Sequence, residues 1–307
     1  VQTTIRSPLS FHGLGLHSGA PVRMTLHPAA ANFGIWFRRT DLDIADPLIR
    51  ASWDAVVPSK LCTLIANGAG ATVSTIEHIM AALAGCGLHN ALIEIDGPEV
   101  PILDGSAAPF VAGIMARGLR ELQEPVRALR ILSAVEVNEG PALARLEPAG
   151  DVLDMRFDID FADAAIGRQG KSLTLANGTF VRELSDSRTF CRQSDIEAMR
   201  RNGLALGGTY SNAVVFDGAR ILSPGGLRHA DEPVRHKMLD ALGDLALAGM
   251  PILGRYVGLR AGHALTNRLL RALFRQPEAF RIVELGGAAE AFLPGAGLTR
   301  ADLPACA

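Results

Sequence analysis

His236 and Asp240 stand four positions apart in VRHKMLDALGDL, a segment with helical periodicity, so their side chains leave one face of a helix about one turn apart. Two ligands of one metal ion need that geometry, and Asp244 continues the stripe. A solvated face carrying an i,i+4 pair gives the same spacing. However, Val234, Met238, Leu239, Ala241, Leu242, Leu245 and Leu247 make the rest of the helix apolar, so part of it must be buried and its ionisable groups need partners. His78 offers a third ligand, and catalytic zinc takes three protein ligands and leaves one position for water. Its neighbour Glu77 is the candidate base for that water. The plainer alternatives are a core or capping histidine at 78 and, at 77, a first-turn acid closing an STIE capping box begun by Ser74. His263 follows Gly262 at the start of the last helix. If Asp244 lies close, the carboxylate favours imidazolium there and supplies a general acid or an oxyanion clamp; otherwise His263 only opens a helix.

Established zinc motifs do not account for these residues. HExxH is absent, HxxEH fails because Ser74 stands where its first His belongs, and PCxxC is missing. His12, His17, His27, His89 and His229 have no matching partners and read as structural. In GLGLHSG (13–19), Gly13, Gly15 and Gly19 do not make GxGxxG and no strand and helix flank them, so a tight hairpin explains them better.

Two runs of elements must position this set. PVRMTLHP alternates like a strand; TIEHIMAALAGCG reads as a helix closed by glycine, NALIEIDG as a buried strand, and SAAPFVAGIMARGLRE as a second helix with Ser106 as N-cap. From about Val126 the order repeats. ALRILSAVEV and VLDMRFDIDF are strand-like, DEPVRHKMLDALGDLALAG is helical, ILGRYVGL is a strand and GHALTNRLLRALF the final helix. The expected fold is therefore α+β. Two similar domains, 1–125 and 126–280, each have a mainly antiparallel sheet and two helices, with the helices packed together between the sheets. Equivalent helices then carry His78 and His236. Residues 190–222 look inserted, with a helical stretch (DIEAMRRNGLALGG) and a strand pair (NAVVF, ARILS). The segment 281–307 reads as a tail, its Ala-, Gly- and Pro-rich part starting at Gly286.

Composition narrows the function class. With 307 residues the chain has length for about two domains. The 30 basic and 32 acidic side chains nearly cancel, so no long-range field favours nucleic acid or an anionic membrane, and none is expected as a partner. Cys62, Cys86, Cys191 and Cys306 form no CxxC pair, which fits a reducing cytoplasm. No apolar run reaches the roughly 18 residues of a membrane span, since Asp244 interrupts the best candidate at 241–253, and VQTTIRSPLSF does not read as a secretory signal.

Together, GLGLHSG (13–19), STIEHIMAAL (74–83), EIDGPEVPILDGSA (94–107), SRTF (187–190), VRHKMLDALGDL (234–245) and GHALTNRLLRAL (262–273) resemble the UDP-3-O-acyl-N-acetylglucosamine deacetylases of lipid A biosynthesis, over residues 4–274. The resemblance implies a zinc-dependent amidohydrolase with its site between two similar domains, acting on a UDP-linked acylated amino sugar in the cytoplasm of a Gram-negative bacterium. It implies His78, His236 and Asp240 as zinc ligands, with Fe2+ a substitute, Glu77 as general base, His263 as acid or oxyanion stabiliser with Asp244 its partner, and Thr189 on the tetrahedral intermediate. Lys237 and Arg260 match diphosphate positions, and Asp160 and Phe161 the nucleoside region. Phe190, Ile196, Ala205, Gly208, Ala213 and Val215 match the acyl passage. A monomer is expected, and the length leaves no room for the fused dehydratase of bifunctional members. The rival readings are a zinc amidohydrolase of another N-acyl amino sugar and a lipid- or nucleotide-binding module with structural histidines.

Overall fold

Each of the two largest sheets is organised around a central strand. The computed structural model describes residues 1–305, so the last two residues of the expected tail, Cys306 among them, lie outside the described residues. In the five-stranded sheet the order is Leu9–Leu14, Pro21–Pro28, Ala91–Ile95, Ile35–Arg39, Leu48–Arg50. The central Ala91–Ile95 runs antiparallel to Pro21–Pro28 and parallel to Ile35–Arg39. The seven-stranded sheet repeats this around Ile252–Leu259, which is antiparallel to Ala142–Glu147 and parallel to Leu153–Asp160, with Val135–Glu139 and Arg168–Leu175 outside them. It adds Arg127–Ile131 and Phe280–Glu284. The fold is α+β with mainly antiparallel sheets, as expected from the sequence.

The helices are α1 (Glu77–Cys86), α2 (Ala108–Arg117), α3 (Thr179–Glu183), α4 (Gln193–Arg201), α5 (Glu232–Leu245) and α6 (His263–Phe274). Each central strand lies between two of them, α1 and α2 or α5 and α6, and α1 packs against α5. In EHIMAALAGC every residue but Ala84 is buried, as suits a helix apolar nearly all round. Burial of Ile79, Met80 and Leu83 contributes roughly 1.5–3 kcal/mol each. In α5 all but Arg235 and Lys237 are buried, so its charged stripe faces the interior and not solvent. Glycine permits the contact: a Cβ on Gly243 would lie 2.0 Å from the Glu77 carbonyl oxygen. One apolar core runs through both halves.

Local details depart from expectation. The STIE capping box does not form, because Ser74 ends the strand Thr72–Ser74, Ile76 becomes the N-cap, and the Glu77 carboxylate accepts the Thr63 amide instead. Helix α2 starts after Ala107, and the Ser106 hydroxyl accepts from the Ala108 amide at 3.2 Å and from Arg228 while donating to Asp104. The helix expected up to Gly208 stops at Arg201, since Gly203 and Ala205 adopt positive φ and turn the chain back. The returning segment docks on the GLGLHSG turn, Leu206 and Gly207 amides donating to the His17 and Leu16 carbonyls. Phe280–Glu284 crosses the expected boundary at 280 as an edge strand on Arg127–Ile131.

Candidate metal centre

His78 comes from the first turn of α1, His236 and Asp240 from successive turns of α5. One ligand atom from each lies within 4.8 Å of the others. His78 Nε2 and His236 Nε2 are 3.6 and 3.3 Å from Asp240 Oδ1, with the two rings edge to face. Asp240 Oδ1 is buried without a hydrogen-bond partner among the described residues. A buried orphan acceptor costs about 1–3 kcal/mol, and a divalent cation would satisfy it. His236 Nδ1–H donates to the Ser187 carbonyl at 3.0 Å, which leaves Nε2 available to a metal. Burial pushes the His236 pKa down to about 4, the neutral form a metal requires. Burial opposes the Asp240 charge, but His236 and Lys237 outweigh it and hold the carboxyl well below its ordinary value. Two imidazoles and one carboxylate fit a catalytic zinc donor set.

The Ser187 carbonyl is itself held. Arg188, one residue on, forms a buried pair with Glu232 at 2.9 Å, and Glu232 also accepts the Arg188 and Arg228 amides. The Thr189 amide donates to Gly105 at 2.8 Å and its carbonyl accepts Val214, which anchors the segment to both halves of the chain.

Beside the cluster, Glu77 Oε2 accepts the Thr63 amide at 3.0 Å and Oε1 lies 3.9 Å from His263 Nε2. Burial raises the Glu77 pKa. His263 Nδ1 lies 2.8 Å from Asp244 Oδ2, and Nε2 is 3.9 Å from Asp240 Oδ2. Burial disfavours its charge, but Asp244 and Glu77 prevail and raise its pKa to about 9. A carboxylate and an imidazole therefore sit together beside the cluster.

All of this opens into a cavity of about 1200 Å³. The segment 190–222 contributes the apolar lining residues Phe190, Ile196, Ala205, Gly208, Ala213 and Val215 beside the polar Arg192, Gln193, Asp195 and Arg200; Phe161, Thr189, Lys237 and Arg260 also line it. Lys237 Nζ pairs with Asp240 Oδ2 at 2.8 Å. Asp160 is not among the lining residues and is exposed, paired with Arg260.

His17, read from the sequence as structural, lies beside the site. It lines the cavity, its Nδ1 accepts the Ala205 amide, and its buried Nε2 has no hydrogen-bond partner among the described residues. Nothing at helical or strand spacing could reveal it, because the turn reaches the site by docking on residues 205–207. Glu99 orders that turn by accepting the His17 and Ser18 amides, and a Cβ on Gly15 would strike its carboxylate. His27, His89 and His229 pair with Glu94, Thr3 and Asp186, away from the cavity.

The family model described as LpxC, UDP-3-O-acyl N-acetylglycosamine deacetylase, matches residues 2–275. A UDP-3-O-acyl-N-acetylglucosamine deacetylase of Phenylobacterium zucineum (strain HLK1) is 50% identical over 281 residues, covering 92% of this chain and 96% of that protein. Proteins of the same description from Anaeromyxobacter sp. (strain Fw109-5) and Shewanella frigidimarina (strain NCIMB 400) are 48% and 43% identical, covering 92% and 96% of this chain and 92% and 98% of theirs. The buried His–His–Asp cluster, the adjoining carboxylate and imidazole, and these matches along nearly the whole length lead to one conclusion: the chain belongs to the UDP-3-O-acyl N-acetylglycosamine deacetylase family.

Proposed function

We propose that the chain hydrolyses the N-acetyl group of UDP-3-O-acyl-N-acetylglucosamine in lipid A biosynthesis, releasing acetate and the free amine, with zinc held by His78, His236 and Asp240. The observation that carries this reading is the orphaned, buried Asp240 Oδ1 between two histidines, with Glu77 and His263 beside it in a cavity that has an apolar wall. Zinc in that cluster supplies a Lewis acid for the amide carbonyl and a lowered pKa for water; Fe2+ suits the same donors.

The chain's own groups divide the remaining work. Glu77 takes the proton of the attacking water, its carboxylate held by the Thr63 amide. His263, kept charged by Asp244, faces the oxyanion and is the proton source for the departing amine. Thr189 donates a hydrogen bond to the same oxyanion. Lys237 and Arg260 bind the diphosphate, Phe161 stacks on the nucleoside with Asp160 at its exposed edge, and the insertion encloses the acyl chain from Phe190 to Val215. A nucleotide-sugar substrate supports a cytoplasmic site of action.

Release of acetate from UDP-3-O-acyl-N-acetylglucosamine, measured across acyl lengths with a chelator control, tests the proposal. Turnover should require the acyl chain and stop on metal removal. Equal turnover of N-acetylglucosamine lacking UDP and acyl groups would sink the substrate assignment.

A further inference from the structure

Thr63 sits at the end of the loop that follows the short strand Val56–Val57, and it is buried. Its amide donates to Glu77 Oε2 at 3.0 Å, and its hydroxyl donates to Asp244 Oδ1 at 2.5 Å. Glu77 opens α1 and Asp244 lies near the end of α5. One residue therefore grips two carboxylates from different halves of the chain, and the second carboxylate holds His263 Nδ1 through its other oxygen.

The hydroxyl has a job that the rest of the site does not duplicate. An aspartate carboxylate turns easily about χ2, a broad, two-fold torsion, so contact through one oxygen leaves its plane free to swing. Asp244 Oδ2 takes the imidazole; Oδ1 takes Thr63. With both oxygens engaged the plane is set, and with it the direction in which His263 presents Nε2 toward Glu77 and Asp240. Removing the hydroxyl leaves Oδ1 without this donor in a buried position.

We propose that Thr63 is a positioning residue: its hydroxyl locks the Asp244 carboxylate and so aims His263, while its amide sets Glu77, which fixes the base and the acid relative to one another. The inference rests on the acid and base roles assigned above. It is tested in the metal-loaded full chain with Thr63→Val, which keeps the shape, the β-branch and the amide but removes the donor, and with Thr63→Ser, which restores it.

The expected result for Thr63→Val is a fall of about tenfold in kcat, with KM within about twofold and metal content unchanged; Thr63→Ser should recover kcat to within about twofold. In an Asp244→Ala background, Thr63→Val should cost less than about a further twofold, because the hydroxyl no longer has a carboxylate to hold. A second readout needs no substrate. The downfield proton resonance of His263 Nδ1–H, identified by its loss in His263→Ala, should move or broaden in Thr63→Val and persist in Thr63→Ser. Wild-type kcat in Thr63→Val, a loss that multiplies in full on Asp244→Ala, or an unmoved resonance each overturns the proposal. If the unmodified chain does not deacetylate the UDP-sugar, the proposed function fails, and the resonance still decides Thr63. Should Thr63→Val not fold, Thr63→Ala gives the same readouts.

Discussion

Glu77 Oε1 and His263 Nε2 face each other at 3.9 Å beside the metal cluster, and their surroundings prepare them for different work. Burial lifts the Glu77 pKa, as suits the base role proposed for it; Asp244 and Glu77 lift His263 to about 9 against its desolvation, which favours the charged form that the proposed acid role needs. Neither is a ligand, which separates their variants from those of the cluster. Glu77→Ala is expected to retain zinc and lose at least about a hundredfold in kcat, and His263→Ala to behave similarly. His236→Ala should lose the metal as well, because two of the three protein donors remain. Metal analysis beside steady-state kinetics checks all three; near-normal turnover of Glu77→Ala would remove it from the base role.

At the scale of elements, the site depends on how closely α1 and α5 approach. Alanine is favoured over glycine inside a helix by about 1 kcal/mol, so propensity alone makes Gly243→Ala stabilising. The backbone of Glu77 decides otherwise, since a Cβ at 243 would stand 2.0 Å from its carbonyl oxygen and backbone cannot step aside cheaply. The prediction is a lower Tm together with weaker zinc binding, because the displaced turn of α1 carries both Glu77 and His78. A higher Tm with unchanged zinc affinity would show that the helices tolerate a wider separation. The elements themselves were largely legible: α1, α5, α6 and the two central strands follow the periodicities of their segments. Phe280–Glu284 was not, because an edge strand with mostly exposed or half-buried residues shows no apolar alternation. The ends of α1 and α2 were misread, since serines at 74 and 106 suit N-caps, while Ser74 is held in a strand and Ser106 lies before the Ala107 cap.

For the whole molecule, stability should fall in mild acid. His89 is half-buried with Nδ1 accepting the Thr3 amide, and desolvation of the ring pushes its pKa down to about 4. The unfolded chain takes up the proton near the ordinary histidine value of about 6.5, so this group's contribution is intact above that pH and is lost as the pH falls toward about 4. Between pH 7 and pH 5 the loss amounts to roughly 2 kcal/mol. Denaturant unfolding at both values checks it: His89→Asn should show a smaller acid loss by about that amount, and an identical loss would mean that His89 does not govern it. The pairing of His236 with Asp240 was written into the sequence, because side chains four apart on a helix share a face whatever surrounds them. The types of the other chemical groups were legible as well, and their order matched a known pattern. Tertiary structure decided which of them meet. Thr63 reaches Asp244 across 181 positions, His17 arrives on a turn docked to residues 205–207, and Asp160 stays outside the cavity. Helical spacing is local and repeats every 3.6 residues, whereas these contacts arise only when two similar halves bury their helices against each other, with a glycine at the point of closest approach.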